Sequence, residues 1–82
     1  MVLEENWAVA PQRVLDFFSE LDDGLPTAQG YSFGSCSVTV TPTQGQIGSI
    51  PIARSLIRFE GPEDQVRAIY QQFFLRFLSA GG

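Results

Sequence analysis

Arg54 and Arg58 stand four residues apart in "IPIARSLIRFEG". In an extended chain, alternate side chains share a face, so a strand here turns both guanidinium groups the same way. A second stretch, "YSFGSCSVTVTPT", alternates in a matching manner. Cys36, Val38 and Val40 point one way, and Ser35, Ser37, Thr39 and Thr41 point the other. Pairing the two stretches as a hairpin sets Arg54 and Arg58 beside that row of hydroxyls. A guanidinium fork holds carboxylate or phosphate through two parallel hydrogen bonds, so a small anion is one ligand this face could take. The same face, with the strand edge beside it, equally suits a protein partner or a second copy. The candidate interaction surface is therefore Arg54, Arg58, Thr39 and Thr41. Leu75 joins it as an apolar residue outside the apolar stripe of its own helix.

The rest of the sequence is short of catalytic equipment. It contains no histidine and no lysine, all five bases are arginines, and Cys36 is the single cysteine. The usual general base near neutral pH is absent, and with it every Ser-His-Asp or Cys-His pair. Zinc sites draw on several cysteines and histidines, and no such set exists here. "GQIGSIP" has two glycines, but it lies between strands instead of ahead of a helix, so it reads as a turn and not a phosphate loop. A carboxylate pair remains conceivable, for instance Glu60 with Glu63 or Asp64. Acids at a helix start are explained by the positive end of the helix dipole. Asp22 and Asp23 precede a glycine turn without the alternating oxygen ligands of a calcium loop. We assign no catalytic residue, no cofactor and no metal, and expect no enzyme activity.

Composition narrows the partners. The chain has 82 residues and a formal charge of −4. An acidic balance opposes binding to a phosphate backbone, which needs a clustered basic surface, so no nucleic acid is expected and an RNA-binding α+β domain is disfavoured. No apolar run approaches the roughly 20 residues of a membrane-spanning helix, and no insertion is expected. "MVLEENWAVAPQ" has two early acids and no basic n-region, unlike a signal peptide. A cytoplasmic location follows as the expectation. The length suits one domain, 1–82, and a hydrophobic content of 44% with seven phenylalanines is ample for a packed core.

The elements that must position these residues are two helices and two strands. Residues 1–10 read as a short strand or an extended arm that lays Trp7 on the core. Pro11 opens a helix over 11–23, with Val14, Phe17, Phe18 and Leu21 on one face. "LDDGLP" ends it, with Gly24 as the cap and Leu25 folding back toward Leu21. Residues 31–42 form a strand in which Gly34 allows a bulge, bringing Tyr31 and Phe33 onto the face of Val38. "PTQGQIGS" is a long mobile turn, and 50–60 is the second strand. Pro62 opens a helix over 62–79, whose stripe is Val66, Ile69, Tyr70, Phe73, Phe74, Phe77 and Leu78. The fold class is α+β, a two-layer sandwich. An antiparallel hairpin or small sheet, with a possible extra N-terminal strand, carries both helices on one face. Phe17, Phe18, Leu21, Val38, Val40, Ile57, Phe59, Ile69, Phe73 and Phe77 are its expected core.

"GSCSVTVTPTQGQIG" and "RFEGPEDQVRAIYQQFFLRFL" resemble segments of small single-domain proteins of cyanobacteria of uncharacterised activity. The resemblance implies a cytoplasmic or stromal-side accessory protein and carries over no functional residue. Together these readings point to a non-catalytic interaction or accessory module, a homodimer or a small subunit of a larger assembly. A small-anion or metabolite sensor is the alternative.

Overall fold

The computed structural model describes residues 1–80. Its elements are β1 (Val2–Trp7), α1 (Pro11–Ser19), β2 (Leu25–Pro26), β3 (Gly30–Phe33), β4 (Cys36–Ile47), β5 (Ile50–Glu60) and α2 (Glu63–Ala80). The strands form one antiparallel sheet in the order β1-β5-β4-β3-β2. Both helices lie on one face of it, so the fold is a two-layer α+β sandwich. After β1, the chain crosses the sheet through α1, starts again at the opposite edge, and meanders back until β5 lies against β1. No helix among the described residues is long and apolar enough to cross a membrane.

The inner layer is largely aromatic. Phe18 and Phe73 stack with ring centroids 5.8 Å apart and planes 10° from parallel. Phe17, Phe59, Phe77 and Trp7 close around Phe73 with centroids at 5.0 to 6.2 Å, tilted or edge-on. Such offsets suit rings with negative faces and positive edges. Eight of the expected core residues are buried, while Leu21 and Ile69 are half-buried at its rim. Val14, Phe33, Cys36 and Val66 are buried with them. Leu78, expected in the stripe of α2, is instead 55% exposed. The crossover from β1 is pinned by Ser55, fully buried, whose hydroxyl donates to the Val9 carbonyl at 2.6 Å.

Several boundaries differ from expectation, each for a local reason. Residues 1–10 resolve into a strand, Val2–Trp7, paired along its length with β5. The first helix ends at Ser19, not at 23. The N–H groups of Glu20 and Leu21 reach back only three residues, to the Phe17 and Phe18 carbonyls, and this tightened turn cannot propagate. Asp22 and Asp23 therefore lie outside the helix. Leu25 does not fold back on Leu21; it pairs with Ser32 in β2 and is 68% exposed. The run 31–42 is two strands, because Gly34, at φ 61°, makes a tight turn and not a bulge. The expected long turn is no loop. β4 and β5 stay paired out to Ile47 and Ile50, closed by Gly48 at φ 62° and Ser49. Pro62 precedes the second helix and does not begin it: its carbonyl accepts the Val66 N–H at 2.9 Å, as a capping residue does.

Candidate functional site

The helices leave one face of the sheet open, and the strand registers say which side chains share it. Glu4 pairs with Arg58, which pairs with Thr39 on its other side. Asn6, Leu56 and Thr41 form the next row, and Arg54 faces Thr43 beyond it. The hairpin thus brings Arg54, Arg58, Thr39 and Thr41 together, as their alternation requires. Leu75 is not among them. It sits 57% exposed on α2, two residues from the buried Phe73 and so on the far side of that helix, away from the sheet.

The two arginines are already engaged. Arg58 lies between carboxylates, with Nη2 donating to Glu60 at 2.9 Å and Nη1 3.7 Å from Glu4. The Glu60 hydrogen bond, and then the neighbouring negative charge, raises its affinity for its proton above the ordinary arginine value. An anion arriving here meets one positive charge flanked by two negative ones. The Arg54 Nε–H donates to the Asn6 side-chain oxygen at 2.8 Å, and the Asn6 amide donates on to the Thr43 hydroxyl at 3.4 Å. Two arginines against two glutamates leave the face formally neutral on a chain of charge −4. Sequence reading missed Glu4, Asn6 and Glu60 as members. Only the pairing of β1 with β5 places the first two, and nothing in the local pattern announces it.

The face also carries exposed apolar side chains. Val2, Leu25, Ile47 and Ile50 are 51–69% exposed. By register parity they lie on the same side as Arg54 and Arg58. Ile47 and Ile50 crown a two-stranded ribbon, residues 43–54, that runs beyond the other strands. An isolated ribbon is marginal in water, so its neighbours must hold it or something must cover it. Hydrogen-bonding pairs alternate along an antiparallel ladder. Counted from the closing Ile47–Ile50 pair, the nitrogens of Pro42 and Pro51 fall on the ribbon's outer edges. No ladder bond is lost, and both edges resist further strand pairing.

On the helical side, a groove of about 620 Å³ lies between the end of α1, the β3–β4 turn and α2. Leu21, Phe33 and Ile69 line it, and Glu20, Asp22 and Asp23 rim it. Among the described residues no group of three or more metal-ligating side chains gathers. Glu60 is bridged to Arg58 and Glu63 to Arg67 at 2.7 Å, so these acids are engaged in ion pairs. Burial pushes the Cys36 thiol up, against a smaller opposing pull from a backbone hydrogen bond with Glu60, which suits an inert core thiol.

One polar cluster ties β1 to α2. A single Glu5 oxygen accepts from the Trp7 indole at 2.9 Å and from the Tyr70 hydroxyl at 2.8 Å. Burial first, and then the Glu5 carboxylate, pushes the Tyr70 phenol up to about 12. The folded state therefore holds this proton more tightly than the unfolded chain, where tyrosine loses it near pH ~10. The stabilisation is complete below that value and is lost as pH rises through about 12. Urea midpoints of the wild type should fall across this window, and those of Tyr70→Phe should fall less. Parallel curves for the two proteins would remove Tyr70 from the alkaline transition.

No protein-family model, curated protein or solved structure matches this chain.

Proposed function

We propose that this protein is a non-catalytic association module and that the open face of its sheet is the contact surface. One observation carries the reading: Val2, Leu25, Ile47 and Ile50, all more than half exposed, lie at the two edges and the far tip of the face the helices leave bare. Single exposed apolar residues are ordinary on a protein surface, and four on one open face support reading that face as a contact surface. The neutral balance of that face favours a protein partner over nucleic acid, which would require net positive charge. The reading places the module in the cytoplasm, where a lone buried thiol such as Cys36 stays reduced.

The test is affinity capture from the cells that make the protein. Thr41→Arg puts a bulky cation at the centre of the face, and the captured set should disappear. Ala68→Arg, on the exposed side of α2, should leave it intact. Equal capture by wild type and Thr41→Arg would refute the assignment of this face.

A further inference from the structure

We propose that the open face is covered by a second copy of this chain, related by a two-fold axis that runs along β4. This rests on the association reading above and names its partner.

The rows of the face complement their own reversal. Val2, Glu60, Ser37, Ser32 and Leu25 form one row across all five strands, in that order. β4 is the middle strand, so turning a copy about it reverses the row. Val2 then lies over Leu25 of the second copy, and Glu60 over its Ser32. Ser37 meets its own counterpart. Apolar meets apolar, and a carboxylate meets a hydroxyl that can donate to it. In the next row, Thr39 of the central strand meets its own counterpart, hydroxyl against hydroxyl. Ile47, near the axis at the far end of β4, meets its counterpart, with Ile50 beside it. Val2, Leu25 and Ile47 are covered in one arrangement, and Ile50 flanks the Ile47 contact.

The alternative two-fold axis, across the strands, does not achieve this. It lays the short strands β2 and β3 over the space beside the ribbon, where no strand lies. Val2 and Leu25 then stay bare.

Size and charge agree with the β4 axis. Five strands at about 4.8 Å spacing span about 24 Å at the broad end, and β4 with its 12 residues runs about 40 Å. The tapered face is on the order of 700 Å² per copy, near the usual share of a specific interface. Stacking two faces that each balance two arginines against two glutamates brings no net repulsion, although each chain carries −4. Face-to-face stacking of antiparallel sheets is an established way to bury such a surface.

Sedimentation equilibrium on the full chain tests it. The wild type should be a dimer. Thr41→Arg opposes like charges near the axis and should raise the dissociation constant at least about a hundredfold. Val2→Glu and Leu25→Lys should each weaken the dimer about tenfold, and the double variant should recover most of the loss. Within one chain these two positions are four strand spacings apart, about 19 Å, so recovery can arise only between copies. Circular dichroism confirms that each variant is folded. A wild type that stays monomeric at about 100 µM overturns the proposal. A dimer indifferent to Thr41→Arg, or additive losses in the double variant, overturns it equally. If the chain is monomeric yet its capture of partners depends on Thr41, the second copy is wrong and the association reading stands.

Discussion

Replacing Phe73 with alanine should cost about 3–5 kcal/mol of folding free energy, the usual loss for deleting a buried phenylalanine ring. Phe73 is fully buried and central to the aromatic layer. It stacks on Phe18 from α1, touches Phe59 of β5 edge-on, and meets Trp7 of β1 at 5.0 Å. One side chain on α2 therefore reaches the other helix and two strands. Its removal leaves a hole that rigid rings from three elements cannot collapse into. A domain of this size has a total stability of roughly 4–12 kcal/mol, so the variant sits at the edge of unfolding. Phe74→Ala, at a half-buried position, should cost clearly less. Urea unfolding followed by circular dichroism measures both, and a Phe73→Ala loss no larger than that of Phe74→Ala would contradict this account of the core.

Gly30→Ala should be nearly as damaging, for a steric reason. A Cβ there would stand 2.0 Å from the Val38 carbonyl oxygen and 3.0 Å from its carbon. That oxygen belongs to the central strand, whose two neighbours hold it by their ladders. Relief requires parting β3 from β4. Overpacking costs about 1–3 kcal/mol, and a clash this close with backbone belongs at the upper end. Gly48→Ala is the matched control. Gly48 has a left-handed backbone at φ 62° but no atom within 4 Å of the added carbon. Only local strain remains there, about 1 kcal/mol. Thermal melts of the two variants should differ widely. Equal melting temperatures would mean that β3 can shift on β4 and that the row register drawn above is soft.

The α+β class, the two helices, and the faces of β4 and β5 could be read from the residues alone. These are consequences of period: 3.6 residues in "VLDFF" and "VRAIYQQFFLRF", and two in "SCSVTVT" and "SLIRF". Period says which side a residue points to, so the grouping of Arg54 and Arg58 with Thr39 and Thr41 was legible without coordinates. Period does not say whether a chain continues or doubles back. At Gly34 a bulge and a two-residue turn shift the parity alike, and either one puts Phe33 and Cys36 on the same face. Only the antiparallel pairing of Phe33 with Cys36 across Gly34 and Ser35 decides for the turn, and so for a separate β3.

The ribbon was hidden for a related reason. Its prolines and glycines look like loop punctuation until the register shows both proline nitrogens facing outward. The partners of Arg58 and Arg54 were hidden because β1 reaches β5 only after the whole chain has crossed the sheet and returned. Which charges neutralise which, and which face stays bare, are long-range facts. They depend on strand order, and strand order is decided by how the two helices close over one side of the sheet.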